Sequence, residues 1–138
     1  VTHTTYSSWR NRHFIDATEA ATESISGPTA DPYRSGLTNL LRYGLSLEKF
    51  DSPQARMPEV RYRDGAFLYA FPFDSKKTDL RWLVEATSSL ANWNLTVFDS
   101  ATQSPLPADG WTEVGAGGSV APGAPVFYRL QLQSTSSN

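Results

Sequence analysis

The chain has 138 residues, a formal net charge of −2, no cysteine, and 39% hydrophobic against 19% charged residues. That size fits one domain with a core able to fold without disulfides or a structural metal. The mild acidity argues against electrostatic capture of nucleic acid or an anionic membrane, and the missing cysteines exclude thiol catalysis and cysteine-zinc sites.

The first fifty residues read as helical. Trp9, Arg10, His13 and Phe14, then Ala17, Ala20 and Ala21, suggest one or two short helices broken near Gly27-Pro28. Asp31-Pro32-Tyr33-Arg34-Ser35-Gly36 is a polar turn. Leu37, Leu40, Leu41, Gly44 and Leu45 then recur at amphipathic-helix spacing, with Ser35 or Thr38 placed to cap the helix. Trp9 and Phe14 are expected to clamp this N-terminal segment to a sheet.

The pattern changes at Asp51. Ser52-Pro53 and Met57-Pro58 resemble a linker, and period-two runs come after it. Glu59–Arg63 and Ala66–Phe73 are predicted strands joined by Asp64-Gly65, a strong hairpin signal. Asp79–Thr87 is a third, with Leu80, Trp82, Val84 and Ala86 on a core face and Arg81, Leu83, Glu85 and Thr87 opposite. Trp93–Asp99 is a fourth, and Trp93 is expected to plug one end of the core. Ser104–Gly110 reads as a Pro/Gly-rich loop. Trp111–Val114 and Ser119–Ala121 are short strands. Pro125–Gln133 closes the pattern with Val126, Tyr128, Leu130 and Leu132 on one face, and Ser134–Asn138 is a polar tail. The fold expected is mainly β: an antiparallel β-sandwich over residues 51–133, with residues 1–50 as a helical segment packed on it and residues 134–138 as the tail, one domain overall. Beginning at Val1 with no methionine or signal peptide, the sequence reads as part of a longer protein or as a processed form.

Two motifs in this order carry a resemblance. Ala30–Leu45, with Asp31-Pro32-Tyr33-Arg34-Ser35-Gly36 followed by Asn39-Leu40-Leu41-Arg42-Tyr43-Gly44-Leu45, looks like an acidic calcium-type loop and an NLLEYALG helix. Leu83–Trp93 is similar to a VExSxDLxxW strand-turn. Together with Trp9, Phe14 and the terminal Phe127-Tyr128-Arg129-Leu130, they resemble a domain found at the C-terminal end of secreted multidomain proteins of planctomycete and verrucomicrobial bacteria. The resemblance implies a secreted accessory domain and suggests calcium in the loop. This chain departs from that pattern, because Arg34 and Ser35 stand at positions usually acidic and Arg42 replaces the acid of the helix. A hard cation needs several carboxylates, so no metal is expected here, and Asp31 is expected to act as a helix or turn cap.

No catalytic constellation emerges. His3 and His13 are too far apart for a helical pair, no HExxH or Gly-x-Ser-x-Gly is present, and Gly115–Gly118 neither follows a buried strand nor opens a helix. Asn94-Leu95-Thr96 is a glycosylation sequon, relevant only in a eukaryotic secretory pathway. The aromatic residues, 12% of the chain, are the feature with positive content. Sugar C–H faces pack on aromatic rings, and flanking polar groups can bind hydroxyls. Trp82 falls in phase with the core. Trp111, Tyr62, Tyr69 and Phe71 remain as candidates for an exposed platform, with Arg61 and Arg63 beside them. The expectation is a non-catalytic carbohydrate-binding module without cofactor. Its partners would be a polysaccharide and a tethered catalytic domain of the same polypeptide, with no nucleic acid or membrane. The alternative is a structural spacer or sorting domain of a secreted or cell-surface protein. Two or more aromatics exposed on one face favour binding, and their burial favours the spacer.

Overall fold

The computed structural model describes residues 4–47, 54, 56–93, 95–116 and 125–135. Among these are four short helices, α1 (Tyr6–His13), α2 (Ala17–Ala21), α3 (Glu23–Ser26) and α4 (Asn39–Gly44). Six strands come after them: β1 (Glu59–Arg63), β2 (Ala66–Phe73), β3 (Leu80–Thr87), β4 (Leu95–Asp99), β5 (Gly110–Val114) and β6 (Phe127–Ser134). The expected strand Ser119–Ala121, the segment 51–53, His3 and the sequon residue Asn94 lie outside the described residues. The chain divides into two units. One contains the described residues of Val1–Met57, Lys76–Leu80 and Ser134–Asn138; the other contains Pro58–Ser75 and Arg81–Gln133.

In the helical unit the starts of α1, α2 and α4 are fixed by side chains that meet orphan amides, while α3 has no side-chain cap. The Thr5 hydroxyl accepts from Ser8 N at 3.1 Å, the Asp16 carboxylate from Thr18 N and Glu19 N, and the Thr38 hydroxyl from Leu41 N. Thr38 is therefore the cap of α4. That helix is shorter than the apolar spacing suggested, because Ser46 adopts φ 60° and Leu47 N donates back to Arg42 O at 2.9 Å. This closure lets Leu45 and Leu47 bury at 1% exposure just beyond the last turn. Lys77 completes it: the buried Nζ donates to Tyr43 O (2.7 Å), Gly44 O (3.2 Å) and Ser46 Oγ (2.6 Å). A cation there opposes the negative end of the helix dipole. Trp9 and Phe14 are buried among Tyr6, His13 and Tyr43, with Trp9 Nε1 donating to Leu47 O.

Asp31 caps a turn rather than a helix. Its carboxylate accepts from Ser35 N (3.0 Å), Ser35 Oγ (3.1 Å) and Gly36 N (2.8 Å). Burial pushes the carboxyl up, but those amides, the hydroxyl and the nearby Arg42 charge outweigh it and hold it below the ordinary carboxylate range. The Arg42 guanidinium lies 5.9 Å over the Tyr33 ring, so a cation already serves this part of the loop.

The other unit is two three-stranded antiparallel sheets packed together, ordered β1-β2-β5 and β4-β3-β6. Asp64 (φ 53°) and Gly65 (φ 80°) form the two-residue turn between β1 and β2. Positive φ at both central positions matches the twist of the flanking strands, which is why Asp-Gly is favoured there. The resulting register pairs Val60 with Tyr69, Tyr62 with Phe67 and Arg63 with Ala66. β3 alternates as its sequence does, with Leu80, Trp82, Val84 and Ala86 all buried. A bulge between Val84 and Glu85 shifts the pairing with β4, so that Phe98 meets Val84 on the core face and Thr96 meets Glu85 on the other. Phe71 and Phe73 of one sheet pack on Trp82 and Phe98 of the other, with ring centroids 5.3 to 6.1 Å apart. β6 runs one residue past its predicted end: Ser134 is in the strand, and Thr135 N donates to Asp79 O.

Candidate functional site

The outer face of the β1-β2-β5 sheet gathers three of the six residues that the sequence offers for a ligand platform. β5 pairs with β2 so that Trp111 stands opposite Pro72 and Glu113 opposite Ala70, while β1 sets Glu59 opposite Ala70 on the other side. Between them β2 contributes Leu68, Ala70 and Pro72 to this face. Arg61 reaches over them. Its guanidinium bonds Glu59 Oε1 at 2.9 Å and Glu113 Oε2 at 3.2 Å, and lies 5.2 Å from the Trp111 ring centroid. Arg63 adds a second ion pair to Glu113 at 3.0 Å. Its bonds to Glu59, then those to Glu113, hold the Arg61 guanidinium in its charged form, above its ordinary value. Trp111 keeps 42% of its surface exposed. The face presents an aromatic ring edged by a fixed cation and carboxylates.

The remaining candidates lie elsewhere. Tyr69, expected on an exposed platform, is 9% exposed and stacks on Tyr128 at 5.4 Å. Burial pushes its phenol up to about 12. Phe71 is wholly buried. Both fell in the inward phase of β2, which two successive aromatics in a half-exposed hairpin do not reveal. Tyr62 is exposed, but on the sheet face opposite Trp111, where it touches Phe67 at 4.9 Å and neighbours Val60. Its direct cross-strand partner is Phe67, while Tyr69 pairs with Val60.

A second polar face was missed. On the outer side of β4-β3-β6, Arg81 makes two bonds to Asp99 (2.9 and 2.6 Å) and one to Gln133 (3.4 Å). Arg129 bonds Glu85 at 2.8 Å and lies 4.5 Å over the ring of Trp93, which is half-buried. The signal was present as charged and polar residues at outward positions of β3 and β6, Arg81 and Glu85 against Arg129 and Gln133. Strand order could not be read, so the pairs could not be matched.

The helical unit contains a cleft of about 410 Å³ lined by Thr5, Tyr6, Arg10, Glu23, Asp79 and Ser134, among others. Its charged groups already serve the wall. Asp79 accepts from Tyr6 N and Tyr43 OH, both at 2.7 Å, and Arg10 pairs with Glu23 at 3.0 Å. Among the described residues no group of three or more His, Cys, Asp or Glu could hold a metal ion, and no helix is long and apolar enough to cross a membrane. Comparison with known protein families, curated proteins and solved structures finds no match to this chain.

Proposed function

We propose that the chain is a non-catalytic carbohydrate-binding module of a secreted polysaccharide-active protein, and that it holds glycan on the outer face of the β1-β2-β5 sheet. The observation that carries this reading is the half-exposed Trp111 ring beside a guanidinium fixed between two carboxylates. A pyranose presents C–H groups to the ring, while Arg61, Arg63, Glu59 and Glu113 offer donors and acceptors to its hydroxyls. Because Arg61 is already held in place, little side-chain freedom is lost on binding. Tyr69 and Phe71 drop out of the site by burial, and Tyr62 by facing the other way. The resemblance to C-terminal accessory domains supports an extracellular location beside a catalytic domain of the same polypeptide, where tethering raises a weak intrinsic affinity.

Affinity electrophoresis through gels containing cellulose derivatives, xylan, mannan or β-glucan tests this. One of these polymers is expected to retard the chain. Trp111→Ala should weaken retention by about 1–3 kcal/mol, by analogy with stacking on nucleic-acid bases. The second reading, a spacer without ligand, is favoured by the way Arg61, Arg81 and Arg129 all spend their guanidinium groups on carboxylates of their own chain. Passage of the wild-type chain unretarded through every polymer selects the spacer.

A further inference from the structure

Among the described residues β1 is an edge strand, guarded only by its short length and the charges of Glu59, Arg61 and Arg63. It contains no proline, lysine or bulge, and its register with β2 is continuous from Glu59 to Arg63. The turn decides which backbone groups it leaves open. In a two-residue hairpin the flanking residues, here Arg63 and Ala66, form a hydrogen-bonded pair. By alternation Arg63, Arg61 and Glu59 turn their amides toward β2. Val60 and Tyr62 turn theirs to the free edge.

The side chains of the same two residues are exposed. Val60 is 53% and Tyr62 66% exposed, and Phe67 beside them is 57% exposed. All three lie on the face that carries Tyr69 and Phe71 into the core. They form an apolar strip that no described residue covers.

We propose that this edge pairs with β1 of a second copy of the chain, antiparallel and centred on Arg61. The sequence Glu59-Val60-Arg61-Tyr62-Arg63 is self-complementary in that register. Glu59 stands opposite Arg63 of the other copy at both ends. Val60 stands opposite Tyr62, and each such pair exchanges two backbone hydrogen bonds, using every open amide and carbonyl of the two residues. Directly opposite side chains of opposite charge, or of aromatic and β-branched type, are the favourable combinations. The central Arg61 pair is the one like-charge meeting, and each guanidinium is already neutralised by Glu59 and Glu113 of its own chain. A register shifted to oppose Glu59 with Arg61 puts Pro58 opposite Tyr62 and forfeits a donor. A shift the other way opposes Arg61 with Arg63. In the chosen register the apolar strips join, Phe67 and Tyr62 of one copy running on to Val60 of the other.

A five-residue ribbon with one apolar strip lies at the small end of specific interfaces, so the dimer should be concentration-dependent. Sedimentation velocity on the whole chain, from dilute to concentrated solution, should show the weight-average mass rising from monomer toward dimer. Glu59→Arg places arginines opposite Arg63, and Arg63→Glu places carboxylates opposite Glu59. Each should weaken dimerisation about 10-fold or more, in line with like-charge juxtaposition across an interface. The double swap, Glu59→Arg with Arg63→Glu, recreates both pairs with reversed sign and should recover part of the affinity lost in either single variant, the rest staying lost with the Glu59 partner of Arg61. Far-UV circular dichroism confirms that each variant is folded. A chain that stays monomeric throughout overturns the proposal. So does a dimer indifferent to the single changes, or a folded double variant that fails to recover. The readout is mass, so it is independent of whether the Trp111 face binds glycan.

Discussion

Trp82 offers a test of how this core is built. Its ring is 1% exposed and packs on Phe71 and Phe73, 6.1 and 5.3 Å away between centroids. Replacement by Ala deletes a large buried ring and should cost about 3–5 kcal/mol. Replacement by Phe is the sharper experiment. The indole Nε1 is buried without a hydrogen-bond partner among the described residues, and an unpaired buried donor costs about 1–3 kcal/mol. Phe removes that donor together with part of the ring, whose lost burial amounts to roughly 1–2 kcal/mol with the small cavity included. The two effects nearly cancel, so Trp82→Phe should lie within about 1 kcal/mol of the wild type. Urea unfolding followed by far-UV circular dichroism measures both variants without relying on tryptophan emission. A Phe variant as unstable as the Ala variant would refute the idea that the donor is a liability.

Lys77→Met keeps the length of the side chain but leaves Gly44 O and Ser46 Oγ without their donor, and should destabilise the helical unit by about 2–4 kcal/mol in thermal unfolding. The Asp99 carboxyl is held below its ordinary value of 3.8, first by the bonds from Arg81, against the push of burial, and then by Ala101 N. Its folded form is thus favoured when ionised, so this contribution is complete above the unfolded value and is lost as pH falls from there through the lower folded value. Stability measured from pH 6 downward should accordingly fall less steeply in Asp99→Asn than in the wild type. A chelator should leave the melting temperature unchanged, because the Asp31 carboxylate is already bonded by Ser35 and Gly36; a fall reversed by calcium would contradict this.

The β hairpin was legible because local chemistry determines it. Asp64-Gly65 demands positive φ at two positions, and the strands on either side then have only one register. β3 was equally clear from its period-two pattern. What escaped was everything that depends on partners distant in sequence. α4 ends where Ser46 turns left-handed, and a serine carries no strong signal for that. Asp79 reads as the first residue of a strand and Lys77 precedes it with no distinguishing pattern, yet both bond to residues more than thirty positions earlier. Of the candidate site, Trp111 and the two arginines were readable as exposed polar-aromatic positions. That Tyr62 and Tyr69 face away from the arginines follows from strand alternation and the hairpin register, whereas how deeply each is covered depends on the other sheet, and that is fixed by non-local packing.

Lys76–Leu80 lead from β2 into the first residue of β3, yet they belong with the helices. Asp79 receives Tyr6 N and Tyr43 OH, and Lys77 holds the end of α4. A gene fragment starting after residue 51 would therefore encode strands carrying an ammonium and a carboxylate whose partners had been deleted. A fragment ending there would encode helices stripped of the groups that close them. Recombination at the apparent linker would harm both products, so this chain should be inherited and transplanted between proteins as an indivisible block.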